Sequence, residues 1–156
     1  MIKPTNPSAS PVSEVSDTNT DAPALIRLRP HHLMCIQNYR GHGYSEALQR
    51  RMERILDVLR QSPGSGLRPS PHIRIVEGAD DLCAACPHCL EGKCESDNPA
   101  VFDGLVSERM CLETGCVLNM EDLQDTKMSL QLLEECCPGC SWLGLCREII
   151  MDEQKK

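Results

Sequence analysis

The clearest periodic feature of the chain is a run of apolar residues at helical spacing. After Ser45, five apolar residues follow one another in steps of four, three, one and three: Leu48, Met52, Ile55, Leu56 and Leu59. Steps of three and four place side chains on one face of an α-helix, and most of the charged residues between them fall elsewhere. The pattern predicts an amphipathic helix that begins after Ser45, whose hydroxyl suits the N-cap position.

Two short stretches, 25–29 and 73–76, mix β-branched, apolar and charged residues as short strands do, and we expect them to pair. Pro30 ends the first stretch and suits the first turn of a helix, which we expect to extend to about Tyr39. Apolar clusters predict two further helices near 99–110 and 127–135. The expected fold class is α+β: a small, mostly helical single domain with a short two-stranded element and metal-binding cysteine loops.

The two ends of the chain are expected to lie outside this domain. Residues 1–24 are mostly Pro, Ser, Thr, Asn, Asp and small apolar residues without a helical or strand period, which predicts a disordered N-terminal tail. Residues 152–156 are interpreted as a short C-terminal tail. The cysteine-rich, metal-binding domain is therefore expected to span residues 25–151.

Composition limits the possible partners and compartment. The chain has 16 basic and 23 acidic residues and a net charge of −7, which argues against nucleic acid or an acidic membrane as a partner. No stretch approaches the roughly 18 apolar residues of a membrane span. Residues 1–24 lack the features of a secretory signal, so we expect a reducing, cytoplasmic location. Eleven cysteines in that compartment indicate metal binding rather than disulfides.

Two groups of closely spaced cysteines predict the metal ligands. Residues 83–94 have the spacing C-x2-C-x2-C-x4-C, and residues 137–146 have the spacing C-x2-C-x5-C. Two thiols separated by two residues can bind one metal from a tight turn. We therefore expect metal or cofactor binding by six cysteines: Cys83, Cys86, Cys94, Cys137, Cys140 and Cys146.

Six thiols exceed one four-ligand site and fall short of two. The candidates for additional positions are Cys89, Cys35, His31 and His32. On a helix that starts at Pro30, His31 and Cys35 lie one turn apart and can share a face. The cysteines that we expect not to be ligands are Cys111, Cys116 and Cys136. Asp80 and Asp81 are interpreted as capping residues of a loop or helix.

Zinc and iron-sulfur clusters both accept four thiolates, so spacing alone leaves both open. The C-x2-C-x2-C run is closer to a ferredoxin-type cluster loop, although four residues rather than three precede its fourth cysteine. This spacing favours an iron-sulfur cluster slightly, with zinc as the alternative.

Four segments together resemble a family of small, functionally uncharacterised, cysteine-rich proteins of bacteria and archaea. They are LRPHHLMC at 28–35, VEGADDLCAACP at 76–87, GKC at 92–94 and CPGCSWLGLC at 137–146. The resemblance covers roughly residues 25–150, with a shorter stretch between Trp142 and Cys146 than the family pattern has. It implies iron-sulfur binding by the six cysteines named above, and it draws attention to His31, His32 and Cys35. It names no reaction, substrate or partner.

Three functions are compatible with these observations. The first is an iron-sulfur protein with a redox or electron-transfer role, whose acidic surface suits a basic redox protein as partner. The second is a structural zinc-binding module for protein interaction. The third is a metal-dependent enzyme that uses His31 or His32, although the chain carries no recognisable catalytic motif. The sequence does not indicate cluster type or oligomeric state.

Overall fold

The computed structural model of the protein describes residues 25–60, 70–125 and 128–156, so the predicted tail at 1–24 lies outside the described residues. The elements in chain order are β1 (Leu25–Leu28), α1 (Pro30–Gln37), α2 (Glu46–Arg60), β2 (His72–Ile75), a 3-10 turn (Cys83–Ala85), β3 (Cys89–Leu90), β4 (Lys93–Cys94), α3 (Asn98–Met110), β5 (Val117–Leu118), α4 (Met120–Asp125), α5 (Leu130–Cys136) and α6 (Leu143–Gln154). The predicted α+β class, small and mostly helical, is confirmed.

The two predicted strands pair, as expected, and a third strand joins them. Strand β1 runs parallel to β2, and Ile26 lies opposite Ile73 in the register. Strand β5 adds to β2 in the antiparallel direction, so the sheet order is β1-β2-β5. The sequence pattern did not predict β5, because two residues are too few to show an alternation.

The predicted amphipathic helix is confirmed as α2. The backbone N–H of Leu48 donates a hydrogen bond to the hydroxyl of Ser45 (3.1 Å), which makes Ser45 the N-cap. Four of the five predicted apolar residues of this helix are buried: Met52, Ile55, Leu56 and Leu59. They join a core whose other fully buried residues include Leu28, Leu33, Ile75 and Val106.

The last helix is the main departure from the predicted elements. Residues 137–146 were expected as a cysteine loop, but α6 begins at Leu143 and contains Cys146. The helix continues through Gln154 and so includes the first three residues of the segment interpreted as a C-terminal tail. Helix α6 packs on α5, which packs on α3, and α3 packs on α1. This chain of contacts brings the late cysteines near the first helix. None of the described helices is long and apolar enough to span a membrane.

Hydrogen bonds hold the segment before Cys83 beside β1. The N–H of Arg27 donates to the carboxylate of Asp81 (2.7 Å), and the N–H of Asp81 donates to the carbonyl of Arg27 (3.1 Å). From the other side, the buried Arg51 of α2 donates through Nε to the carbonyl of Asp81 (2.9 Å). The segment is therefore fixed where β1 passes into α1.

Candidate metal centre

A cavity of about 420 Å³ lies between α1, the 83–94 segment, α3 and the start of α6. This volume is in the range of small-molecule and cofactor sites. Both predicted cysteine loops face the cavity, and the cysteines that line it are Cys35, Cys83, Cys86, Cys89, Cys94, Cys140 and Cys146. The structure thus brings together residues from both predicted groups and all four additional candidates, since His31 and His32 also line the cavity.

One group of thiols combines Cys35 with the late cysteines. Burial raises the pKa of Cys35 well above its ordinary value, and the neighbouring thiols that raise it further are Cys137, Cys140 and Cys146. Burial likewise raises the pKa of Cys137 to about 12, with contributions from Cys140, Cys136 and Cys146. A bound metal cation would counteract these shifts of Cys35 and Cys137, because it favours the thiolate form of its ligands. We call these four residues the four-thiol set: Cys35, Cys137, Cys140 and Cys146.

The local fold explains how these residues converge. Cys137 is the C-cap of α5, and the N–H of Cys140 donates to its carbonyl (3.2 Å) across a tight turn. Gly139 in that turn has φ of 75°, which favours glycine because other residues are strained there. Cys146 lies one turn into α6, and its N–H donates to the carbonyl of Trp142 (2.9 Å). Cys35 reaches the same place from α1.

A second group of thiols sits on the hairpin formed by β3 and β4. Cys89 and Cys94 lie directly opposite each other in the register. Glu91 and Gly92 close the hairpin with φ of 49° and 77°, the positive values of a two-residue type I′ turn. Burial raises the pKa of Cys86, and the backbone of His88 and Cys89 acts in the opposite direction. The N–H of Cys89 donates to the carbonyl of Cys86 (3.1 Å), which closes the turn between the two thiols.

The two histidines of α1 are each held by a carboxylate, which is buried in Asp80 and partly buried in Asp103. Nδ1 of His31 lies 2.7 Å from Oδ1 of Asp103, and Nδ1 of His32 lies 2.7 Å from Oδ2 of Asp80. An ionised carboxylate only accepts hydrogen bonds, so Nδ1 carries a proton in both rings, and Nε2 has no carboxylate partner among the described residues. The ring centroids lie 4.2 Å apart, and both rings line the cavity.

Asp80 receives four hydrogen bonds in a fully buried position. Besides His32, its donors are the backbone N–H groups of Arg29 (2.7 Å), Leu82 (3.0 Å) and Cys83 (3.0 Å). Burial alone would raise the pKa of Asp80, but His32 and the backbone donors hold it well below its usual range. The predicted capping role of Asp80 is correct but incomplete, because the sequence did not indicate its bond to His32.

Asp103 was not predicted as a site residue. It accepts from Nε of Arg29 (2.8 Å) and from the N–H of His31 (3.1 Å) in addition to the His31 ring. Burial, aided by the charges of His32 and Arg29, lowers the pKa of His31 to about 4 although Asp103 opposes the change. His31 is therefore a neutral ring at pH 7, the form that binds metals.

Cys83 lies next to His32 and Asp80. Its sulfur, a carboxylate oxygen of Asp80 and a ring nitrogen of His32 all lie within 4.8 Å of one another. Burial and the Asp80 charge raise the pKa of Cys83 to about 12, and the charge of Arg29 opposes this rise.

The three cysteines expected not to be ligands lie elsewhere. Cys111 is exposed at the C-cap of α3, and Cys116 precedes β5. Cys136 is fully buried in the core. In the part of the chain that the structure describes, none of the three lines the cavity.

Fold and site together define a small, cysteine-rich α+β domain, with thiols and carboxylate-held histidines around one cavity. A family model described as "Protein of unknown function (DUF1284)" matches residues 43–146, which are 104 of the 156 residues, and the chain belongs to this family. The matched range contains both cysteine groups but not His31, His32 or Cys35. Comparison with curated proteins and with solved structures found no match.

Proposed function

We propose that the protein holds an iron-sulfur cluster on the four-thiol set and uses it in electron transfer. The observation that carries this proposal is that Cys35 of α1 lines one cavity with Cys140 and Cys146, while Cys137 begins the turn that ends at Cys140. Four cysteine thiolates are the usual ligands of [2Fe-2S] and [4Fe-4S] clusters. Three of the proposed ligands are close together in the sequence, and Cys35 is the proposed fourth.

A buried amide also fits the cluster. Nδ2 of Asn38 is buried and has no hydrogen-bond partner among the described residues. The amide nevertheless lies close enough to the Cys146 thiol to lower its pKa, against the larger opposing effect of burial. An amide N–H directed at cluster sulfur stabilises the reduced, more negative state. When bound, the cluster supplies a one-electron couple, and Asn38 would tune its potential.

The overall charge supports a protein redox partner. The chain carries a net charge of −7. Complementary charge speeds association of transient partners, so a basic redox protein suits this surface.

Anaerobic purification without a metal-affinity tag, followed by an absorption spectrum and analysis of iron, sulfide and zinc, tests the proposal. We expect sulfur-to-iron charge-transfer absorption with matching iron and sulfide, and a reversible one-electron couple in voltammetry. Cys137→Ser should lose both iron and absorption. Cys111→Ser is the matched control, because Cys111 is an exposed cysteine away from the cavity. Colourless protein with stoichiometric zinc on this set would contradict the proposal and support a structural zinc module.

A further inference from the structure

We propose a second metal site, separate from the four-thiol set, in which His31, His32 and Cys83 bind one divalent ion such as Zn²⁺. The site lies where the first turn of α1 meets the 3-10 turn at Cys83–Ala85. All three side chains line the cavity.

The first argument is the way in which both rings are held. Metal-binding histidines usually donate the N–H of one ring nitrogen to a carboxylate, which fixes the ring and leaves the other nitrogen for the metal. Here two adjacent histidines have this arrangement, with Asp103 and Asp80 as the respective carboxylates at 2.7 Å. A histidine that only packs in the core would not need to line a cavity, whereas both of these rings do.

The second argument assigns different roles to Asp80 and Cys83. Asp80 accepts four hydrogen bonds at 2.7–3.0 Å, so its lone pairs are already used and it acts as an outer partner of the site. The sulfur of Cys83 retains capacity to bind a metal. It lies within 4.8 Å of a His32 ring nitrogen, and the positive charge of Arg29 favours its thiolate form.

The third argument is the placement of Cys83 relative to the hairpin thiols. The backbone N–H of Cys83 donates to the buried Asp80 (3.0 Å), whereas Cys89 and Cys94 lie opposite each other on the hairpin of β3 and β4. Among the described residues, the group of possible ligand atoms within 4.8 Å of one another contains Cys83 and none of the hairpin cysteines.

The donor set indicates the ion and the chemistry. Two imidazoles and one thiolate suit Zn²⁺, which in catalytic sites keeps three protein ligands and an open fourth position. That position would face the cavity, whose wall includes Phe102 and Trp142. It would take water or the oxygen of a small carbonyl or oxyanion compound, with the ion as Lewis acid.

The test is zinc binding by the full-length protein, measured by equilibrium dialysis and by zinc-edge X-ray absorption, which detects zinc and is not affected by iron. We expect one zinc equivalent with a mixed shell of nitrogen and sulfur. His32→Gln should lose this equivalent and the nitrogen signal. His42→Gln is the matched control, because His42 lines the same cavity but has no carboxylate partner among the described residues. Asp103→Asn should weaken binding by about 10- to 100-fold.

Circular dichroism and a thermal melt check that each variant is folded, and the wild-type spectrum decides the question even if a variant is not. A wild-type zinc shell made only of sulfur, or no zinc binding at all, would overturn the proposal. Equal zinc content in wild type and folded His32→Gln would do so as well. Cys137→Ser separates the two proposals: we expect it to lose iron and keep the histidine-dependent zinc, whereas loss of that zinc would show that the site is not separate.

Discussion

Replacement of Asp80 by alanine should destabilise the protein far more than replacement of the neighbouring Asp81. Asp80 is 1% exposed, and its carboxylate accepts three backbone N–H groups and the His32 ring. The neighbouring Asp81 is also largely buried, but it accepts only one backbone N–H, from Arg27. It also forms a part-exposed ion pair with Nε of Arg27 at 3.6 Å. The two residues therefore form a matched pair for comparison.

The expected cost follows from the donors left without a partner. A buried donor that loses its acceptor costs about 1–3 kcal/mol of folding free energy. Water that enters the space left by the side chain can bind the donor, which brings the cost close to the lower value. Four donors give about 4 kcal/mol for Asp80→Ala, and one donor with an exposed ion pair gives about 1 kcal/mol for Asp81→Ala. Domains of this kind have about 5–15 kcal/mol in total, so the first variant loses a large part of its stability.

Urea unfolding at equal metal content measures the difference, since bound metal adds its own stabilisation. With a urea dependence of about 2 kcal/mol per molar, the midpoint should fall by about 2 M for Asp80→Ala and by about 0.5 M for Asp81→Ala. Equal shifts for the two variants would refute the reasoning, because they would mean that the four hydrogen bonds of Asp80 are not needed to hold the segment.

Three further predictions concern His31, the buried face of α2 and the turn at Gly139. In the metal-free protein, stability should be complete above pH 6.5 and should fall by roughly 3 kcal/mol as the pH drops toward 4. The reason is that the unfolded chain protonates His31 at its ordinary pKa of 6.5, whereas the folded protein does so at a pKa of about 4. We expect His31→Gln to flatten this profile in urea titrations. Ile55→Ala should cost about 3 kcal/mol in the same assay, against less than about 0.5 for the exposed Arg54→Ala. Gly139→Ala should cost about 1–2 kcal/mol and reduce iron content, because φ is 75° there; unchanged stability would show that the turn relaxes.

Local patterns predicted the local parts of the fold. The apolar face of α2 was recognisable because a helical face is defined by steps of three and four residues, all within one segment. The capping role of Ser45 was recognisable for the same reason. Helix α6 was not, because Gly144 and Cys146 interrupt its apolar pattern, and the cysteines favoured a loop interpretation.

The site required contacts that no local pattern contains. The shared face of His31 and Cys35 followed from the predicted first helix, but the approach of Cys35 to Cys137 depends on how α1, α3, α5 and α6 pack. Asp103 lies 72 residues from His31 and looks in the sequence like an ordinary acidic residue of an amphipathic helix. Asp80 caps the 3-10 turn that begins at Cys83 and brings Cys83 close to His32, a contact that the C-x2-C spacing does not indicate.

The four-thiol set also has a consequence for biosynthesis. Its first member, Cys35, and its last, Cys146, are 111 residues apart in the sequence. At about 5–20 residues per second, a ribosome needs on the order of 10 s to travel from one to the other. During that interval the nascent chain presents Cys35 without its partners, along with the hairpin thiols, which are synthesised earlier than the late cysteines. The order of synthesis therefore makes loading of this centre a late event, after the last helix has docked.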